Sequence, residues 1–176
     1  MTDEQQLTDQ AIPTATAIAD AARFMAQLSG LLTRDIDPDR FADRFGTSIN
    51  HPAFVMGHCG YFAGYCIEML DGPRVLESRD SELYGLGSKC LDEPSRYPDK
   101  DAAVNALVDR LHQAAEFIET GGDQPLARSS EGTFFAEKFS TLGGIANFML
   151  VGHVGYHIGQ ISAWRRVAGM GSAMSF

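Results

Sequence analysis

Apolar residues recur every three or four positions in four long stretches of the chain, and polar stretches rich in Gly, Pro, Asp and Ser separate them. That period is typical of amphipathic helices, and no segment shows the strict alternation that indicates a half-buried strand. The pattern predicts a first helix from Pro13 to about Leu32, a second from Pro52 to Leu70, a third that begins at Pro98 and Asp99 and ends at Gly121 and Gly122, and a last one from about Ser140 to Ala168.

Two connections separate these helices. The first, residues 72–98, is rich in Gly, Ser, Asp and Pro and includes a short predicted helix from Ser81 to Leu86. Loops of this length in compact domains often act as lids over a site. The second connection spans residues 121–138. The predicted fold class is therefore all-α, a single domain over residues 1–176 built as an antiparallel four-helix bundle with a long connection between helices 2 and 3.

Composition, net charge and cysteine content count against several classes of protein. The chain has 176 residues, 44% of them hydrophobic, which suits one compact domain with its own core. Its net charge of −9 counts against a duplex nucleic-acid binder and against adsorption to an anionic membrane. Three cysteines without a CxxC do not make a disulfide framework, and Cys59 and Cys66 are expected to be buried thiols. With a polar, acidic N-terminus, these features predict a cytoplasmic protein.

One uncharged stretch is a candidate membrane-spanning helix. Residues 139–164 carry no formal charge and are long enough to span a bilayer. The same stretch holds an asparagine, a glutamine and two histidines, and such polar groups are costly inside a membrane. We therefore predict a buried helix of the bundle rather than a membrane span.

The sharpest chemical signal is the pair His153 and His157, in the sequence HVGYH. A spacing of four places both imidazoles on one helix face, where they can share a metal ion. Zinc metalloproteases use this spacing in HExxH helices, but here Val154 stands in place of their catalytic glutamate. The pair therefore predicts either a metal site of another kind or two core histidines satisfied by their neighbours.

The second helix offers a third imidazole at His58. Three histidines from two helices leave a coordination position open, which is the pattern of a catalytic rather than a structural metal site. Imidazole ligands suit Zn, Ni, Fe or Cu, so the spacing does not select the metal. We expect the other two histidines, His51 and His112, to be solvated.

Both helices carry glycines at steps of three and four, at positions 57, 60 and 64 and at positions 152, 155 and 159. Such a stripe allows two backbones to approach closely. If the two stripes face each other, they bring His58 to the HxxxH pair. Alternatively, one stripe serves a dimer contact, and the sequence leaves both arrangements open.

Three polar residues near the histidines have both a functional and a packing interpretation. Gln160 shares the face of the HxxxH pair, and it is a candidate to orient a metal ligand or to line a pocket. Tyr61 and Tyr65 continue the face of His58, either as hydroxyl groups that meet a substrate or as core aromatics with partnered hydroxyls.

Neither helix offers a carboxylate general base, because no Asp or Glu lies within nine residues of His58 or after Glu137. Chemistry at this site would depend on the metal, which can polarise a substrate or activate bound water or thiol. Arg165 and Arg166 either hold a carboxylate or stabilise the end of the last helix through its dipole.

Three segments together resemble the DinB-like superfamily, also called the DinB/YfiT-like metalloenzymes. They are PAFVMGHCGYFAGY on the second helix, HVGYHIGQISAWRRVAGM on the last helix and GSKCLDEPSRYPDKDAAVNALVDRL between them. Each motif is short, and their order and separation make the combination more specific than HxxxH alone. The resemblance extends from about Ala17 to Met170.

The resemblance implies an antiparallel four-helix bundle, often a homodimer, that holds a divalent metal ion, usually zinc or nickel. It implies His58, His153 and His157 as the metal ligands, followed by Gln160. Characterised members of the superfamily include S-transferases and isomerases that use mycothiol, bacillithiol or glutathione, with a metal-bound thiolate as nucleophile.

Three hypotheses follow for this chain. The first is a metal-dependent enzyme of the thiol S-transferase type that acts on a small-molecule substrate and uses a low-molecular-weight thiol. The second is a non-catalytic metal-binding or ligand-binding bundle. The third is a structural homodimer whose histidines are core residues.

Overall fold

The structure is a computed structural model that describes residues 12–173. Its α-helices are α1 (Thr14–Thr33), α2 (Pro52–Met69), α3 (Ser78–Tyr84), α4 (Lys100–Gly121), α5 (Asp123–Leu126), α6 (Leu142–Asn147) and α7 (Val154–Val167). A π-helical turn, Phe148–His153, joins α6 to α7 without a break, and 3-10 turns lie at Pro38–Arg40 and Pro94–Arg96. Between residues 12 and 173 there is no β-strand, only an isolated bridge between Ser129 and Thr141. The predicted all-α class is confirmed.

The four helices predicted from periodicity correspond to α1, α2, α4 and the continuous run α6–π–α7, each end within two residues of the prediction. The short helix predicted at Ser81–Leu86 is misplaced, since α3 begins at Ser78. The carboxylate of Asp80 accepts a hydrogen bond from the Glu77 backbone N–H at 3.1 Å, and this capping box starts the helix earlier.

His51 forms the N-cap of α2 and does not face solvent. Its Nδ1 accepts a hydrogen bond from the Phe54 backbone N–H at 3.1 Å, so its Nε2 carries the proton and donates to the Leu91 carbonyl at 3.1 Å. The side chain is fully buried, and the expectation that His51 is solvated is wrong because the ring both caps α2 and ties it to the connection before α4. His112 is exposed on α4, as expected.

The core lies where the long helices meet. α4 packs along α1 and α2, and the run α6–π–α7 contacts α1 and α2. The inward face of α4 carries most of the stripe that the periodicity predicted, and its buried residues are Ala103, Leu107, Leu111, Ala114, Ala115 and Ile118. The predicted buried thiols, Cys59 and Cys66, are fully buried on α2.

No helix within the described range is both long and apolar enough to cross a membrane. The uncharged stretch at residues 139–164 instead supplies buried positions in α6, the π turn and α7, namely Leu142, Ile145, Ala146, Met149, Leu150, Val154, Ile158, Ile161 and Trp164.

An ion pair anchors the end of α7. The Arg165 side chain is 4% exposed, and its guanidinium donates to both oxygens of Asp35, with a distance of 2.8 Å from Nη2 to Oδ2. The same guanidinium donates to the Leu32 carbonyl at 3.1 Å and to the Gly171 carbonyl at 3.2 Å. Of the two interpretations of Arg165, the structure therefore favours the one in which it holds a carboxylate, and that carboxylate belongs to the chain itself.

Asp35→Asn should lower the free energy of unfolding by roughly 1–3 kcal/mol, because it leaves the buried Arg165 charge without its counter-ion. The expected loss of stability is smaller than that for a fully buried ion pair because Asp35 is 51% exposed. Urea denaturation measures the change. Asp20→Asn is the matched control, since Asp20 is an exposed partner of Arg23 on α1 and its loss should change stability by less than about 0.5 kcal/mol. Equal stability of the two variants would contradict this role.

Candidate metal centre

Three histidines converge between α2 and the last helical run. His58 comes from the middle of α2, His153 ends the π turn and His157 lies one turn later on α7. One ligand nitrogen from each ring lies within 4.8 Å of the others. The ring centroids are 4.5 Å apart for His58 and His157, 4.5 Å for His153 and His157, and 5.0 Å for His58 and His153. The structure thus brings together the three candidate ligands.

The π turn that ends at His153 is a feature that the periodicity did not predict. A π turn closes its hydrogen bonds over five residues instead of four, and such turns occur frequently at functional sites. The extra residue changes the face that α6 presents relative to α7. The two flanking helices therefore follow different helical registers, while His153 and His157 remain neighbours beside α2.

A hydrogen bond fixes the tautomer of His58. Its Nδ1 lies 2.7 Å from the backbone carbonyl of Tyr84, which can only accept, so Nδ1 carries the proton. The lone pair of the ring is therefore on Nε2. Metal-binding histidines commonly donate their other ring N–H to a carbonyl or carboxylate in this way, which fixes the orientation of the ligand.

The other two rings each hold a buried polar atom that lacks a partner. The Nδ1 atoms of His153 and His157 are inaccessible to solvent and have no hydrogen-bond partner within the described range. A buried polar atom without a partner is destabilising, and strain, a catalytic role, or a bound water or ion accounts for such atoms in native proteins. An ion shared by the three rings fits this donor set.

Burial keeps all three rings uncharged at neutral pH. It lowers the pKa of His58, and it is the first cause of the lower pKa values of His153, about 3, and of His157, about 4. Repulsion by neighbouring imidazoles lowers the pKa of His153 and His157 further, and the Gln160 side chain acts in the opposite direction on His157. Neutral imidazoles are the form that binds metal ions.

The site is only partly buried. His58 is 8% exposed, whereas His153 and His157 are half-buried. Aromatic rings lie against the histidines. The Phe62 ring is 5.0 Å from that of His58 and 4.8 Å from that of His153, and the largely exposed Tyr156 ring is 5.1 Å from that of His157. The partial exposure of His153 and His157 leaves these two rings in contact with solvent.

The remaining candidate residues have partners of their own. The Gln160 Oε1 accepts a hydrogen bond from Asn50 Nδ2 at 3.0 Å, which links α7 to the residue before the N-cap of α2. The Tyr61 hydroxyl is 3.4 Å from Ser81 Oγ, and the Tyr65 ring packs edge-on against Phe62. Neither tyrosine ring is in contact with the histidine rings, and Phe62, which does contact them, is a residue that the sequence analysis missed.

The two glycine stripes do not face each other. A β-carbon on Gly57 would lie 2.1 Å from the Tyr84 ring, and one on Gly64 would lie 2.6 Å from the Leu76 side chain. On the other helix, β-carbons on Gly155 and Gly159 would meet nothing within 4 Å. The stripe on α2 therefore faces the segment that includes α3 at Gly57 and Gly64 and faces α4 at Gly60, and His58 reaches the HxxxH pair without it.

Comparisons with protein-family models, with curated proteins and with solved structures find no match to this chain.

The metal-free protein should lose stability as the pH falls from 6.5 towards 4. The folded-state pKa values of the three site histidines and of His51 lie below the unfolded value of 6.5, so the unfolded state takes up protons first in this range. Stability is therefore complete above about pH 6.5, and each such histidine reduces it by up to about 1.4 kcal/mol per pH unit below that. Urea denaturation of chelator-treated protein at a series of pH values measures the slope.

His153→Gln should reduce this slope, whereas His112→Gln, which removes an exposed histidine, should leave it unchanged. A chain whose stability is constant from pH 7 to pH 4 would show that the three rings are not buried together.

Proposed function

We propose that His58, His153 and His157 hold one divalent metal ion, zinc or nickel, and that the protein is a metal-dependent enzyme with chemistry of the thiol S-transferase type. The observation that carries the proposal is the convergence of three uncharged imidazoles, two of them half-buried, with ligand nitrogens within 4.8 Å of one another. Three protein ligands leave a coordination position for a thiol, water or substrate.

The donor set suits such an ion in three respects. The lone pair of His58 is on Nε2, the nitrogen that does not face Tyr84. The rings of His153 and His157 each have a buried Nδ1 without a hydrogen-bond partner. All three imidazoles are neutral at pH 7. When bound, a divalent ion would lower the pKa of a coordinated thiol or water and supply the nucleophile. That chemistry needs no protein carboxylate, and none contributes to the pKa shifts of these histidines.

The same reasoning extends the proposal to fold and assembly. We take α1, α2, α4 and the run α6–π–α7 as the four members of an antiparallel bundle of the DinB-like kind, since short helices and loops connect them and since the ligands come from the second and the last of them. Homodimerisation is part of this proposal by analogy with that superfamily.

A small molecule with an uncharged apolar part suits the surroundings of the site. A groove of about 90 Å³ lies next to Phe62, and all of its lining side chains are apolar or aromatic: Tyr61, Phe62, Tyr65, Leu86, Phe134 and Phe135. Phe134 and Leu86 are unusually exposed for large apolar residues, at 70% and 63%. Phe62 lines this groove and also contacts the His58 and His153 rings, so a substrate held in the groove would lie one aromatic ring away from the proposed metal ion.

The second candidate function is a metal-binding or ligand-binding bundle without turnover. No carboxylate is among the groups that shift the pKa values of the three histidines, which favours binding without turnover over hydrolytic chemistry. The two candidates agree on the metal and differ in whether a reaction occurs.

The protein purified without a polyhistidine tag or chelator should contain close to one equivalent of zinc or nickel by plasma mass spectrometry. His58→Ala, His153→Ala and His157→Ala should each lose most of it, because removal of one of three ligands leaves an incomplete site. His112→Ala is the matched control and should retain the metal. A wild-type chain without metal that takes up none on titration would refute the metal centre.

The metal-loaded protein should accelerate the reaction of a low-molecular-weight thiol such as glutathione with 1-chloro-2,4-dinitrobenzene. In this reaction a sulfur–carbon bond forms, the carbon–chlorine bond breaks, chloride leaves and the thiol proton passes to solvent. Absorbance of the conjugate measures the rate, and His153→Ala should reduce it to the background. A full complement of metal with no acceleration for glutathione, mycothiol or bacillithiol would favour the non-catalytic candidate.

A further inference from the structure

Residues 75–84, in the connection between α2 and α4, lie along α2 and form a segment that we name the strap. We propose that the strap positions His58. The lack of a side chain at Gly57 leaves room for the Tyr84 ring, and the ring in this place keeps the Tyr84 carbonyl hydrogen-bonded to His58 Nδ1. The inference rests on the proposed function, because the reason to fix His58 is to present its Nε2 to a metal ion.

The start of the strap is fastened to α2 and α4 by polar contacts. The Val75 and Leu76 backbone N–H groups donate to one oxygen of Glu68, at 2.7 and 2.8 Å. Arg110 on α4 donates to the Val75 carbonyl at 3.0 Å. The Leu76 side chain lies over Gly64, where a β-carbon would come within 2.6 Å of it. These contacts fix the distance between the start of the strap and α2.

The end of the strap rests on Gly57. A β-carbon at this position would lie 2.1 to 2.6 Å from three atoms of the Tyr84 ring, closer than real β-carbons come to any neighbour. The ring cannot move aside easily because it is 7% exposed and lies beside Phe54 and Tyr97, with ring centroids 6.4 and 6.2 Å away. Glycine at position 57 is therefore required for this placement of Tyr84.

The orientation of His58, the residue after Gly57 on α2, depends on the position of Tyr84. The Tyr84 backbone carbonyl accepts the Nδ1–H of His58 at 2.7 Å, and the short helix α3 brings it there. If Tyr84 is displaced, His58 loses the acceptor that selects its tautomer and orients its ring. Loss of such an orienting partner commonly lowers metal affinity 10- to 100-fold.

Gly60 provides a matched control on the same helix. A β-carbon on Gly60 would lie 3.7 Å from the nearest atom, the Cα of Leu107, which is an ordinary contact distance. Gly57→Ala and Gly60→Ala therefore make the same chemical change and gain the same helix propensity. They differ in whether Tyr84 must move.

The first test is zinc affinity, measured by competition with a chromophoric chelator. Gly57→Ala should bind zinc roughly 10- to 100-fold more weakly than the wild type, and Gly60→Ala should bind like the wild type. Equal affinity of the two variants would overturn the proposal.

The second test does not need a metal and separates a positioning role from a general loss of structure. In the metal-free wild type, the ¹⁵N shifts of the His58 ring should show the proton on Nδ1, and in Gly57→Ala they should show both tautomers. A wild-type His58 protonated on Nε2 would overturn the proposal even if Gly57→Ala fails to fold. A wild type that binds no zinc but keeps the Nδ1–H tautomer would refute the proposed function and leave the placement of His58 by the strap standing.

Discussion

Three imidazole rings are packed against one another between α2 and the last helical run, and they can remain there only while they are uncharged. Burial removes the water that would stabilise an imidazolium, and each charged ring would repel its neighbours, so the pKa values of His153 and His157 lie well below their usual range. The hydrogen bond from His58 to the Tyr84 carbonyl determines which nitrogen of the His58 ring carries the lone pair. The π turn ends at His153, and the Phe62 ring packs against His58 and His153.

Much of this arrangement could be predicted from the sequence because it depends on local periodicity. The HxxxH spacing places His153 and His157 on one face whatever the rest of the chain does, and apolar periodicity located the ends of the four long helical segments to within two residues. His58 could be chosen as the third ligand because it is the one histidine inside the second apolar helix.

The features that were missed depend on contacts between distant segments. His51 stands at a helix start, where a polar ring is ordinarily solvated, but the Leu91 carbonyl covers it from the next connection. The π turn leaves no composition signature in periodic apolar sequence. The glycines of α2 were a visible signal, yet Gly57 contacts the Tyr84 ring of the strap, Gly64 contacts Leu76 and Gly60 faces Leu107, and none of them faces the glycines of the last helix. Nothing local to either segment reveals that pairing.

We propose that His58, His153 and His157 share one ion and leave a coordination position open. X-ray absorption at the zinc edge of the zinc-loaded protein tests it directly, because multiple scattering from imidazole rings gives the number of histidine ligands. We expect three imidazole nitrogens at about 2.0–2.1 Å from the zinc ion, with a light-atom ligand in the remaining position. One or two imidazoles, or a sulfur ligand at about 2.3 Å in protein without added thiol, would contradict it.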